Sequence, residues 1–204
     1  MQERITEIVE REWKMFHSTR NVGGPASCQN NRSQFEIMRR SQFLSWNEAL
    51  LESYLADLLQ AEQDGRNLVT LKYAYMMEQT SPLEYARLAD RLPAVSPRCR
   101  ELVQELVAQT VCWAEEFAAR YPALARRGRP IHTADEDGFS ASVETYSRGE
   151  LMTYSERTLS LLKGHYDRLA AAGRNLHTEV LTCELQLSGF ESPEQAERLF
   201  AAQP

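Results

Sequence analysis

The sequence predicts an all-α domain of about eight helices, arranged as two similar four-helix halves packed about a pseudo-twofold axis. Three observations lead there. Apolar residues recur at three- and four-residue spacing along nearly the whole chain, and no stretch alternates as a strand would. Proline, asparagine and glycine punctuate that pattern where helices begin and end. Finally, Gly65-Arg66-Asn67-Leu68-Val69-Thr70 returns as Gly173-Arg174-Asn175-Leu176-His177-Thr178, at an offset of 108. The same offset pairs Arg40 with Arg148, Trp46 with Tyr154, Glu48 with Glu156 and Leu51 with Leu159. Eight of the 31 positions from Arg40 to Thr70 are identical between the copies, against roughly two expected from background usage. The expected organisation is one domain over 1–204, with an internal repeat of 1–93 and 96–203.

The elements follow in order. Ile5, Ile8, Val9, Trp13 and Phe16 form the stripe of a first helix, and the glycine-rich loop Asn21-Val22-Gly23-Gly24-Pro25 ends it. A long second helix runs from about Ser33 to Gln63, with Phe35, Met38, Trp46, Leu50, Tyr54 and Leu58 inward. Gly65 suits the left-handed position that closes it. Asn67 caps a third helix carrying Leu68, Leu71, Tyr75 and Met76. Ser81-Pro82-Leu83-Glu84 reads as a capping box with proline in the first turn, opening a fourth helix that Leu92-Pro93 closes. In the second copy Ser96-Pro97 opens a helix with Leu102, Leu106, Trp113 and Phe117, and Tyr121-Pro122 stops it. A loop then reaches about Ser142, and a long helix follows from about Val143 to Ala172. Its interior Gly149 and Gly164 cost about 1 kcal/mol each relative to alanine, which points to a bend or a close contact. Gly173 ends it, Asn175 caps the next helix and Ser192 opens the last.

Composition narrows the function classes. The 204 residues are 43% apolar and 25% charged with a net charge of −6, an ordinary globular balance. An acidic chain whose one basic cluster is Arg126-Arg127-Gly128-Arg129 is a poor match to nucleic acid. No window approaches the roughly 18 apolar residues of a membrane span, and the acidic amphipathic start at Met1-Gln2-Glu3-Arg4 is unlike a signal peptide. Cys28, Cys99, Cys112 and Cys183 form no Cys-x-x-Cys pair. They read as reduced thiols of a cytoplasmic protein, and no metal site is expected.

Two groups of residues carry candidate chemistry. Arg40 and Glu48, with Arg148 and Glu156, lie at i and i+8 on the two long helices, next to Trp46 and Tyr154. A twofold axis would gather two arginines and two carboxylates at the seam, suited to acid–base work with Glu48 or Glu156 as base, or to an ion-pair network that fixes helix register. The di-iron bundle pattern needs Glu-x-x-His, which is absent from the sequence. The second group is the loop carrying His17, Asn21, Cys28 and Gln29. A cysteine just before a helix sits at the positive end of its dipole, which favours the thiolate, and His17 is a candidate base for it. Arg39-Arg40, two turns further on, could bind a carboxylate or phosphate. Lys72, among Tyr73, Tyr75 and Glu78, is either a paired surface lysine or a desolvated one.

Several stretches resemble a known family: Asn21-Val22-Gly23-Gly24 with Ala26-Ser27-Cys28-Gln29; Met38-Arg39 with Ser41-Gln42-Phe43 and Trp46; Gly65-Arg66-Asn67-Leu68; Lys72-Tyr73-Ala74 with Met76-Met77-Glu78; and Glu144-Thr145-Tyr146 with Arg148-Gly149-Glu150-Leu151 and Thr153-Tyr154-Ser155. Together they are similar to an uncharacterised bacterial family of the DUF4125 type, a domain of unknown function. The family usually has an acidic residue where Leu71 stands here, which weakens a Glu–Lys pair at that point. The resemblance implies a stand-alone bacterial cytoplasmic protein and no particular activity or cofactor.

Three functional readings result. The first is a protein, and on this reading an enzyme remains open, that holds a small polar or anionic molecule between the long helices. Arg39, Arg40 and Arg148 would hold charge, and His17, Asn21, Gln29, Trp46 and Tyr154 would line the site. The second is a helical interaction module with a protein partner or a second copy of itself. The third is a thiol-dependent enzyme using Cys28.

Overall fold

The computed structural model describes residues 1–20, 27–138 and 140–202, with positions 27 and 28 described by their backbone alone. Every regular element among the described residues is helical: eleven α-helices and three short 3-10 turns. The first half comprises α1 (Gln2–Ser18), α2 (Arg32–Leu44), α3 (Glu48–Gln63), α4 (Leu68–Thr80) and α5 (Pro82–Leu88). The second comprises α6 (Pro97–Arg120), α7 (Pro122–Ala125), α8 (Val143–Leu151), α9 (Glu156–Ala171), α10 (Leu176–Leu187) and α11 (Pro193–Ala201). No described helix is long and apolar enough to cross a membrane.

The all-α expectation holds, and the expected count of eight is corrected to eleven. Both long helices break. Asn47 accepts a hydrogen bond from the Leu50 amide at 3.0 Å and starts α3, while Ser155 accepts one from Thr158 at 3.2 Å and starts α9. Each cap competes with the helix that would otherwise run through it. The apolar period survives each break, so periodicity alone reads each pair of helices as one. The loop to Ser142 also holds a helical turn, α7, and a 3-10 turn at Thr133–Asp135. Ser81 makes no side-chain cap, so the expected capping box is not formed there.

The breaks account for two residues expected in the site. Glu48 and Glu156 are the first-turn acids of α3 and α9, where a carboxylate is favoured by the positive helix end. Their recurrence at the repeat offset follows from helix starts.

Other expected punctuation is present. Gly65 and Gly173 sit at φ 66° and 63°, a left-handed geometry that glycine adopts without penalty. Asn67 and Asn175 cap α4 and α10, accepting from Thr70 and Thr178 at 2.9 Å each. Each asparagine also donates backwards, Asn67 to the Met15 carbonyl at 2.8 Å and Asn175 to that of Trp113 at 3.0 Å. This ties α4 to α1, and α10 to α6.

The main apolar cluster runs from Ile5 and Ile8 of α1 through Leu102 and Leu106 of α6 to Leu159 and Leu162 of α9, and a smaller one gathers Trp113, Leu169 and Leu176. The α4 and α8 helices pack directly across the halves. Gly149 allows this approach. A Cβ there would lie 2.4 Å from the Met76 Cγ and 2.8 Å from the Lys72 carbonyl oxygen. A close contact was one of the two expectations for that glycine. At Gly164 an added Cβ meets only Arg168 at 3.6 Å, an ordinary contact.

Candidate functional site

The apolar stripes of four helices each carry one charge. In α1 the buried face is Ile5, Ile8, Val9, Glu12, Met15 and Phe16, and in α4 it is Leu68, Lys72, Tyr75 and Met76. Arg39 and Glu150 take the corresponding places in α2 and α8. Glu12, Arg39, Lys72 and Glu150 are only 3, 7, 7 and 8% exposed. Charges buried to that degree need partners.

They find one another. Arg39 grips Glu12 with two bonds, Nε to Oε2 at 2.7 Å and Nη2 to Oε1 at 2.6 Å. Its Nη1 donates to Glu150 Oε1 at 3.0 Å and Gln42 Oε1 at 2.7 Å. Lys72 Nζ donates to Glu150 Oε2 at 2.9 Å. Two phenols close the network, Tyr54 donating to Glu12 at 2.6 Å and Tyr154 to Glu150 at 2.9 Å. Two cations and two carboxylates thus form a formally neutral floor.

The floor's protonation states follow from its geometry. Burial opposes the charge on Glu150, but the Arg39 guanidinium and the Lys72 ammonium outweigh it and hold the carboxyl well below the usual range. Burial likewise opposes the charge on Lys72, and Glu150 overcomes it, lifting the ammonium to about 12. Burial pushes the Tyr54 and Tyr154 phenols up, and the carboxylates Glu12 and Glu150 respectively add to that.

A pH prediction results. Lys72 is raised from 10.5 to about 12 in the fold, so its contribution is whole below pH 10.5 and is lost as pH rises through 12. The raised tyrosines act in the same direction. Urea titrations should show stability steady to about pH 10 and then falling, with about 2 kcal/mol of the loss due to Lys72. Lys72→Met should lack that part, and an identical alkaline profile in the two proteins would contradict the assignment.

Above the floor lies a cavity of about 560 Å³. Its walls are largely apolar and aromatic, including Phe16, Phe35, Leu68 and Tyr146, while Lys72 and Arg129 reach it from the polar side. Tyr146 organises those two cations. The Lys72 Nζ lies 3.6 Å from its ring centre and the Arg129 Cζ 4.5 Å away. Lys72 has three N–H donors, and one is spent on Glu150.

On the other side of Glu150 lies a smaller cavity of about 180 Å³, which also touches Gln42, Trp46, Tyr146 and Tyr154. Trp46 and Tyr154 meet there as a T-shaped pair at 6.3 Å. Among the described residues no three His, Cys, Asp or Glu side chains gather as a metal set.

The expected site residues are dispersed. Arg39, Trp46 and Tyr154 reach the network or its aromatic wall. Arg40 instead donates to Gln2 at 3.4 Å, and Arg148 pairs with Glu144 at 3.2 Å on its own helix. Glu48 pairs with Arg4, and Glu156 is exposed. The four residues expected to gather at the seam therefore do not. Gln42 and Glu150 occupy that place, bonded to each other at 3.3 Å.

Gln29 is buried and donates to the carbonyls of Phe16 and Thr19 at 2.8 Å each, closing the end of α1. His17 stacks on Trp13 and lies 3.3 Å from the Gln29 carbonyl. Asn21 and the side chain of Cys28 lie outside the described residues.

Residues 2–198 match the family described as protein of unknown function (DUF4125). The chain belongs to that family. No curated protein and no solved structure matches it. In this DUF4125 chain, three of the four floor charges, Arg39, Lys72 and Glu150, fall inside the stretches that carried the resemblance. The fourth, Glu12, falls in none of them. Its signal is a carboxylate in register with Ile5, Ile8, Val9 and Phe16.

Proposed function

We propose that this protein binds a small organic anion in the cavity between α1, α2, α4 and α8, with Lys72 as the head-group contact and Arg129 beside it. The observation that carries the reading comes from treating the two halves as copies. The paired bonds of Asn67 to Met15 and Asn175 to Trp113 align α1 with α6. In that register Glu12 corresponds to Thr110. At the offset of 108, Arg39 corresponds to Ser147, Tyr54 to Leu162 and Lys72 to Val180. All four first-half residues line the larger cavity, and all four counterparts line the smaller one. The four counterparts thus carry no charge, and the charge bordering the smaller cavity is that of Glu150, which it shares with the larger one. Burying three charges in the first half, Glu12, Arg39 and Lys72, is costly unless something uses them, which supports a ligand over a helix-register device.

Glu150 stays ionised, Lys72 protonated, and Tyr54 and Tyr154 neutral across the physiological range, for the reasons of burial and charge given above. None of these four is poised near neutrality, as a general acid or base would be. The floor favours holding a charge over moving a proton. Arg129 tips the balance of cavity charges to a net positive, which favours an anion, and the aromatic walls favour a ring or chain attached to it.

Thermal unfolding with benzoate, phenyl phosphate and benzylamine tests the reading. The two anions should raise the midpoint and the amine should not. Arg129→Gln, an exposed position, should weaken benzoate binding about five- to tenfold while costing the unliganded protein no more than about 1 kcal/mol for the lost contact with the Tyr146 ring. No shift with either anion, or binding unchanged in Arg129→Gln, would remove the proposal. A second reading, a helical interaction module, rests on α5: none of its residues is buried, and Leu83 is 82% exposed.

A further inference from the structure

We propose that the anion carries an apolar arm that runs from the Lys72 cavity past Met38 and Arg129 into a second chamber between α6, α7 and α10. This rests on the binding reading above and names the class of ligand: an aryl-alkyl or long-chain carboxylate.

The second chamber is about 440 Å³, and both Met38 and Arg129 border it as well as the larger cavity. Its walls are Phe117, Leu124, Leu181, Leu185 and Phe190, set among small residues such as Ala118 that leave room between the helices. Native interiors leave few gaps larger than a water molecule. Apolar lining of this extent gains by being covered. A hydrocarbon arm covers it, whereas a compact polar anion would not.

Two titratable groups border the chamber, and burial biases both towards the uncharged form. It takes His177 down to about 4, and it raises the Glu184 carboxyl. The Gln34 amide donates to Glu184 at 3.4 Å. Arg129 is the bordering cation, and it stands at the junction with the head-group cavity. The order is therefore cation at the junction, then hydrocarbon beyond it. Met38 is the side chain an arm must cross. Its unbranched thioether shifts readily around a ligand.

Titration calorimetry of the full chain with benzoate, 4-phenylbutyrate and 8-phenyloctanoate tests this. Affinity should rise roughly three- to fourfold per added methylene until the chamber is filled. Leu181→Trp and Ala118→Phe, two independent ways to fill the chamber, should abolish that rise and leave benzoate binding unchanged. Circular dichroism would verify folding of each variant. If benzoate binds and the longer acids bind no better, or if both filled variants keep the full gain, the apolar arm is wrong and the anion site stands. If none of the three acids binds, the anion reading itself fails.

Discussion

Glu150→Gln should destabilise the protein by about 3–5 kcal/mol, the usual loss when one member of a buried ion network is removed. Glu150 takes four hydrogen bonds, from Arg39, Gln42, Lys72 and Tyr154. Glutamine keeps the shape and loses the charge. It leaves the Lys72 ammonium buried against the Tyr146 ring with no carboxylate beside it. Arg39 is less exposed to the change because Glu12 still grips it at 2.6 Å and 2.7 Å. The combination with Lys72→Met should therefore recover part of the loss, since it removes the orphaned charge and restores neutrality. Urea unfolding of the two single variants and the double variant measures this directly. A coupling of about 1–3 kcal/mol is expected. Strictly additive losses would mean that the two side chains do not depend on each other, and the floor would not be a network.

Gly149→Val should lower stability by roughly 3 kcal/mol, at the upper end of overpacking losses. The nearest obstacle, the Met76 Cγ, belongs to a flexible side chain and can move. The Lys72 carbonyl oxygen, 2.8 Å from the added carbon, is backbone of α4 and can yield only if the helices separate. Separation would also disturb the charged floor, because Glu150 follows Gly149 in sequence and Lys72 lies across that contact. Gly149→Ala gives a graded control: better helix propensity returns about 1 kcal/mol, so its loss should be smaller. Both variants should weaken benzoate binding more than Arg129→Gln does. A Gly149→Val protein as stable as wild type would show that α4 and α8 have slack at this point.

The fold class was legible because helix periodicity and the Asn67 and Asn175 caps are local signals. The breaks at Asn47 and Ser155 were not, because each cap sits inside an uninterrupted apolar rhythm and looks like a polar surface position. The site divided in the same way. Arg39 is legible beside the loop, whereas Arg40, Arg148, Glu48 and Glu156 are marked only by recurrence. Recurrence selects what returns at the offset of 108, such as first-turn acids at helix starts. The floor charges do not return at that offset. Glu12, Lys72 and Glu150 were readable by another signal, a charge in phase with the buried stripe. That signal says a side chain is desolvated but not which partner neutralises it, since Glu12 and Arg39 come from different helices and Glu150 lies over a hundred residues further on.

Glu150 borders two hollows at once, the larger with Lys72 and the smaller with Trp46 and Tyr154. A guest in the first that draws Lys72 away changes the charge felt in the second. A guest in the second that shifts Glu150 changes how tightly Lys72 is tethered in the first. Such linkage is reciprocal by thermodynamic necessity. Glu150 is thus the carboxylate that the two cavities share, with Trp46 on the wall of the smaller one.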